Sequence, residues 1–276
     1  MPRRHDRIRA GLRSLLAVAA VLGGAWAATR PAPNGGGMRV IASTCTSLAG
    51  RTNAQRANAL MAASLLNDRR LAPGGELSFN RCVGEWTPRR GFVRAPVSSG
   101  GILVQAHGGG VCQTSTTLYG AALRAGLAIL ERHRHEVRPR YAPPGLDAAV
   151  AFGAADLRLR NDYPFPVQVR AGAVGDLLTV SLLGAGQAAT CRLEVTGEPG
   201  GAARPLLVGG LGRSGGRRIV RQAGSPGWAV TTTRLWTGAG RPDRREAMSV
   251  DRYRAASAVI NVGAPPSDLT SGTVPL

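Results

Sequence analysis

A thiol stands where three glycines give way to a helix. The run Gly108-Gly109-Gly110-Val111-Cys112-Gln113-Thr114-Ser115-Thr116-Thr117-Leu118-Tyr119 sets Cys112 at the predicted start of that helix. There the unpaired N–H groups and the helix dipole favour a thiolate. The glycines permit unusual φ values and close approach by other groups. A cysteine nucleophile needs this arrangement, and so does a tightly packed structural turn. Three of the four histidines, His107, His133 and His135, lie near the run, and histidine is the usual base for a catalytic cysteine. Residues two apart in a strand share a face, so His133 and His135 are expected to point together toward the helix start. Of the two aspartates that follow, Asp147 and Asp156, Asp156 is assigned to orient the histidine. The backbone around Gly110 and Gln113 offers oxyanion donors. Arg132, beside Arg134, offers a fork for an anionic group, and Asp147 is a further binding candidate.

The reaction these residues suggest is thiol-dependent acyl transfer or hydrolysis at a peptide or amide. Two other readings use the same residues. His-x-His with Cys112, His107 or an aspartate could bind zinc, but the spacing is not a standard ligand pattern, so neither metal nor cofactor is expected. Alternatively the glycines form a tight turn, Cys112 is a small buried hydrophobe, and Glu131, Arg132 and the histidines make an internal polar network. The protein would then be a non-catalytic binding or assembly factor. The hydroxyl run Thr114–Thr117 is expected to cap and line the first helical turn.

GGGVCQTSTTLYGAAL at 108–123, ERHRH at 131–135 and GLDAAVAFGAADLRLRN at 145–161 together resemble the VanW family, named after a gene of a vancomycin-resistance cluster. PGGELSFN at 73–80 and GFVRAP at 91–96 extend the resemblance, which runs from about Ile41 to about Leu183. It implies a cell-envelope protein associated with vancomycin resistance and acting on peptidoglycan or another envelope polymer. It does not imply resistance itself, because no ligase or dehydrogenase signature is present. The order Cys, His, Asp with the cysteine on a helix N-terminus is similar to papain-like and transglutaminase-like thiol enzymes, though the Cys-to-His spacing is short for them.

The elements that would hold these residues read as α+β, an antiparallel sheet with a few packed helices, followed by a small all-β module. Strands are expected at Met38–Thr46, Leu77–Val83, Phe92–Val97, Ile102–Ala106 and Leu127–Val137, with later ones through Leu183. Helices are expected at Ala54–Asn67, with Ala57, Leu60, Met61, Ser64 and Leu65 on one face, and at Gln113–Ala125. The VanW-like domain is set at 38–185 and the β module at 186–264, with a disordered tail at 265–276. The module's glycine-rich breaks are similar to the β-ribbon modules that follow VanW domains.

At the N-terminus, basic residues 3–13 precede an apolar stretch at 15–28 ending near Ala25-Trp26-Ala27. The order matches a signal peptide or short membrane anchor, followed by a linker at 29–37. This implies an extracytoplasmic protein, secreted or anchored at the membrane and associated with the wall. Export would permit disulfides among Cys45, Cys82, Cys112 and Cys191; Cys45–Cys82 is one pairing and Cys112–Cys191 the competing one. All 35 basic residues are arginine, and the formal net charge is +19. The arginines are scattered, and no nucleic-acid-binding motif accompanies them, so an anionic envelope polymer is the expected partner and nucleic acid is not.

Overall fold

A computed structural model describes residues 37–210, 218–237 and 243–263. The expected signal segment, all but the last residue of the linker, and the tail lie outside the described residues. The chain divides into two units, Met1–Arg39 and Val40–Leu276. Apart from Arg39, every described helix and strand belongs to the second unit.

In chain order the elements are β1 (Arg39–Ser47), α1 (Asn53–Leu66), β2 (Arg70–Leu71), β3 (Glu76–Ser78), α2 (Phe79–Val83), β4 (Arg94–Ser99), β5 (Ile102–His107) and α3 (Val111–Arg124). Then come β6 (Ala128–Glu131), β7 (Arg158–Arg160), β8 (Val167–Val174) and β9 (Leu177–Gly184). The C-terminal strands are β10 (Thr190–Pro199), β11 (Leu206–Gly210), β12 (Arg218–Gln222), β13 (Trp228–Thr237), β14 (Arg244–Tyr253) and β15 (Val259–Gly263). One sheet has the order β1-β9-β8-β2, and α1 and α3 pack on it and on each other. Smaller sheets are β3-β7-β6 and the hairpin β4-β5; the C-terminal sheets are β10-β13-β14 and β11-β15-β12. Pairing is antiparallel in the registers resolved, except between β11 and β15. The architecture is therefore α+β with sheet predominating. Among the described residues no helix is long and apolar enough to cross a membrane.

Helix α1 starts with a capping box. The Thr52 hydroxyl accepts from Gln55 N–H, and the Gln55 side chain reaches back to Thr52 N–H, an arrangement that satisfies two orphan donors. The apolar periodicity misplaced its buried face. Leu60 is exposed, while Gln55, Asn58, Ala59, Ala62, Ala63 and Leu66 are buried. The reason is polar. Asn58 Nδ2 donates to Val93 O and Gly109 O, its Oδ1 accepts from Val93 N–H, and Gln55 Nε2 donates to Pro96 O. Two amides thus pin the β4 segment and the glycine loop to the helix. Their burial is sustained because these groups have partners.

Helix α3 is buried on almost every side. Leu118 and Leu123 enter the main core with Leu157, Leu159, Val167, Val180 and Leu182; truncating one such leucine to alanine costs about 2–5 kcal/mol. The hydroxyl face is buried as well. Thr114 Oγ1 donates to Ala59 O at 2.9 Å, and Thr117 Oγ1 meets Thr46 Oγ1 at 2.8 Å. Ser115 Oγ donates to Ala148 O at 2.7 Å, while Thr116 Oγ1 accepts from Ala148 N–H at 3.0 Å. The hydroxyl run is therefore a seam joining the helix to α1, β1 and the strand-like segment around Ala148.

Two expected strands are shorter than their patterns. Leu77–Val83 is β3 followed at once by α2, because Ser78 caps the turn by accepting from Arg81 N–H. Leu127–Val137 is regular only as β6; its pairing with β7 slips between Ile129 and Glu131. Neither disulfide is formed: all four cysteines are free. Cys45 lies beside Arg124, whereas Cys82 lies beside Arg69, Arg81 and Asp156.

Candidate functional site

Gly110 caps α3 at φ +110°, and a Cβ there would collide with the Gln55 carbonyl oxygen. Only glycine permits both this backbone and this contact. Cys112 follows in the first turn. Val111 N–H is engaged by Gly108 O and Gln113 N–H by Gly110 O. Among the described residues, the Cys112 N–H makes no hydrogen bond. The thiol is partly buried and lies 3.4 Å from Val150 O. Burial pushes its pKa up, but the hydrogen bond and positive charge of His135 outweigh burial, and the net displacement is downward.

His135 stands between Cys112 and Asp147. Its Nδ1 lies 2.6 Å from Asp147 Oδ2, and its backbone N–H donates to the same oxygen at 2.8 Å. That leaves Nε2 for the thiol and for Tyr141 OH at 3.4 Å. Burial opposes the imidazolium, but the Asp147 hydrogen bond and the Cys112 contact raise the pKa to about 9. A lowered thiol and a raised imidazole favour thiolate and imidazolium together.

Asp147 is completely buried. Its Oδ1 accepts from Tyr253 OH and from Arg132 Nη2 at 3.1 Å. Burial alone would raise its pKa; the His135 hydrogen bond first, then Arg132 and Tyr253, bring it below the usual value. Arg132 is itself fixed. Its Nε donates to Asp147 O at 2.7 Å, and its Nη1 donates to both Asp251 oxygens at 2.7 Å. Tyr253 OH also accepts from Gly145 N–H at 2.8 Å. Strand β14 therefore reaches into the site with Asp251 and Tyr253.

The geometry can be set beside known proteins. Residues 54–183 match the family described as VanW like protein. The chain is 38% identical over 125 residues to "Uncharacterized protein YoaR" of Bacillus subtilis, covering 45% of this chain and 41% of that protein. It is 32% identical over 117 residues to "Vancomycin B-type resistance protein VanW" of Enterococcus faecalis, covering 41% of this chain and 42% of that protein. Residues 54–183 are a VanW-family domain. The chain spans about two fifths of the length of these curated relatives. The crystal structure of HP0197-G5 aligns with 26% of this chain and 95% of its own at 12% identity, but with a TM-score of 0.15 it carries no argument.

The VanW-family domain holds Cys112, His135 and Asp147, while Asp251 and Tyr253 lie beyond it. The other predicted residues fall elsewhere. His133 does not share the inward face: β6 ends at Glu131, His133 bridges Ala149, and its Nε2 meets Glu131 Oε1 at 2.9 Å with the side chain 46% exposed. Asp156 does not orient a histidine. It accepts from Ser78 Oγ at 2.5 Å and Asn80 N–H at 2.8 Å at the start of α2. Arg132 is not open to an external anion, because both of its edges are taken by carboxylates and the Asp147 carbonyl. The Gln113 side chain is engaged too: Nε2 donates to Ser47 O and Thr46 Oγ1, and Oε1 accepts from Arg51 Nε. Gly110 serves the loop's close approach to α1, and the available backbone donor is that of Cys112. His107 is exposed at the end of β5. Among the described residues no group of three or more His, Cys, Asp or Glu is placed to hold a metal ion.

Sequence patterns did not single out Tyr141, Tyr253, Asp251 or Arg51. Composition held one signal: of only four tyrosines, Tyr119, Tyr141 and Tyr253 border this cluster, Tyr119 under the Arg132 guanidinium at 5.3 Å. Nothing local to Asp251 points to Arg132, 119 residues away.

Proposed function

We propose that the chain is a thiol-dependent acyl transferase or hydrolase of the cell envelope, with Cys112 as nucleophile, His135 as acid and base, and Asp147 as the carboxylate that orients His135. The observation that carries this reading is the placement of His135 between Cys112 and a buried, fully hydrogen-bonded Asp147. The Cys112 thiolate attacks an amide carbonyl carbon, and the developing oxyanion takes the Cys112 N–H. The imidazolium gives its proton to the departing amine, leaving a thioester on Cys112. Water or an acceptor amine, deprotonated by His135, then attacks the thioester and restores the thiol. The order Cys112, His135, Asp147 is similar to that of papain-like and transglutaminase-like enzymes, an analogy of roles rather than of topology.

Envelope location and a wall-polymer partner are supported by the basic and apolar N-terminal segments and by the net charge of +19. An association with vancomycin resistance is supported by the printed name of the Enterococcus relative. A non-catalytic binding role has one observation in its favour: Cys112 packs against the main core.

The test is the pH dependence of alkylation at each cysteine of the folded full chain, resolved by peptide mapping. Burial raises the pKa of Cys45, Cys82 and Cys191, so Cys112 is expected to react first at neutral pH and to keep reacting below the usual thiol range. A Cys112 that stays inert until the protein unfolds would falsify the nucleophile and leave the binding role.

A further inference from the structure

Several arginines withdrawn from water in this fold are held by carboxylates or backbone oxygens; Arg138, over the Trp228 ring, keeps a buried Nε without a partner among the described residues, and Arg51 is set apart by its place beside the thiol. Arg132 lies between Asp147 and Asp251, and Arg234 meets Glu246 and Leu127 O. Arg124 donates to Gly120 O and Thr44 Oγ1. Arg51, half-buried in the loop between β1 and α1, has no carboxylate partner among the described residues. Its Nε donates to Gln113 Oε1 at 3.0 Å, and its guanidinium lies 4.5 Å from the centre of the Tyr141 ring. Gln113 is locked in turn by Ser47 O and Thr46 Oγ1. Nη1 and Nη2 make no hydrogen bond among the described residues.

This arginine is thus held by one nitrogen and one face, while Nη1 and Nη2 have no partner among the described residues. Both holders adjoin the reactive pair: Gln113 follows Cys112 in α3, and Tyr141 OH is 3.4 Å from His135 Nε2. The Arg51 charge is felt at Tyr141 and, less strongly, at Cys112. A pre-organised guanidinium with two free parallel donors matches a carboxylate. A desolvated cation lacking a counter-charge gains most from such a ligand.

We propose that Arg51 is a specificity-determining residue that binds a carboxylate of the substrate, placing a carboxylate-bearing amide or acyl group against Cys112. The proposal rests on the thiol-nucleophile reading. It makes the substrate class anionic, and the recognition geometry bidentate rather than merely electrostatic.

The probes are iodoacetate and iodoacetamide, which alkylate the same sulfur with loss of iodide and differ in the carboxylate. Rates at Cys112 are measured on the full chain by peptide mapping. Arg51→Gln is expected to lower the iodoacetate-to-iodoacetamide rate ratio about tenfold, the size of a lost charge-assisted hydrogen-bond pair. Arg51→Lys keeps the charge without the fork and should recover only part of the ratio. Arg134→Gln, which removes an exposed charge on the His135 segment, should leave the ratio within about twofold, because exposed charges are screened. An unchanged ratio in Arg51→Gln, or full recovery in Arg51→Lys, overturns the bidentate site while iodoacetamide still reports a reactive thiol. Inertness of Cys112 toward both reagents overturns the nucleophile and the carboxylate site with it.

Discussion

His133 and His135 each face a carboxylate, at 2.9 Å from Glu131 and 2.6 Å from Asp147. By distance alone the pairs are alike. Their surroundings are not: the Glu131 and His133 side chains are 33% and 46% exposed, whereas Asp147 is 0% and His135 19% exposed. Water screens the first pair, and exposed pairs of this kind contribute little. In the second, burial would neutralise the carboxylate were it not for Arg132, Tyr253 and the His135 N–H. Those donors keep Asp147 ionised, and Asp147 keeps His135 protonated beside a thiol. A histidine and a carboxylate become chemically useful here through the groups behind the carboxylate, rather than through their own contact.

The largest expected separation between the pairs is in stability. Asp147→Asn leaves Arg132 and His135 without their shared buried partner and should cost about 3–5 kcal/mol, the usual penalty for breaking a buried pair. Glu131→Gln should cost about 1 kcal/mol or less. Urea unfolding measures both, and equal costs would dissolve the distinction.

Next is thiol reactivity. His135→Ala should slow alkylation of Cys112 near neutral pH about tenfold for each unit by which the thiol pKa returns upward. His133→Ala should leave the rate within about twofold, because that ring touches neither Cys112 nor Asp147. Comparable losses in both variants would mean that His133 reaches the thiol in solution.

The smallest effect is one of pH. An ordinary histidine releases its proton near 6.5, and folded His135 holds it to about 9. Its contribution to stability is therefore whole below about 6.5 and disappears as the pH rises through about 9. Asp147, held below its ordinary 3.8, acts oppositely: its part is whole above that value and is lost as acid passes its folded pKa. The site should add most to stability between those limits. In His135→Asn the decline above 6.5 should flatten; an unaltered decline assigns it to other groups.

The thiol's position was legible because Gly110 and the helix start are local features of the chain. The choice among histidines and aspartates was not. Alternation placed His133 and His135 on one face, but the slipped register after Ile129 ends the strand before either residue, and backbone pairing beyond that point is set by Ala149. Asp156 looked as suitable as Asp147 because sequence order carries no information on which carboxylate is turned inward. The α1 face was misjudged for a related reason: Gln55 and Asn58 are buried to hold loops, and hydrophobic periodicity counts them as surface. The α3 helix itself, expected at Gln113–Ala125, lies at Val111–Arg124, because the apolar packing that buries Leu118, Ala121 and Ala122, and Ala125 just beyond its end, is written into the local pattern of the chain.

The donors behind Asp147 come from the two ends of a long contour. Tyr253 is 106 residues from Asp147, and Asp251 is 119 from Arg132. A chain growing from its N-terminus contains Cys112 well before β14 exists to complete the support. Through that interval Asp147 lacks its tyrosine and Arg132 lacks Asp251, so the thiol matures late. Completion of the support behind the thiol therefore waits on β14, far along the chain from Cys112.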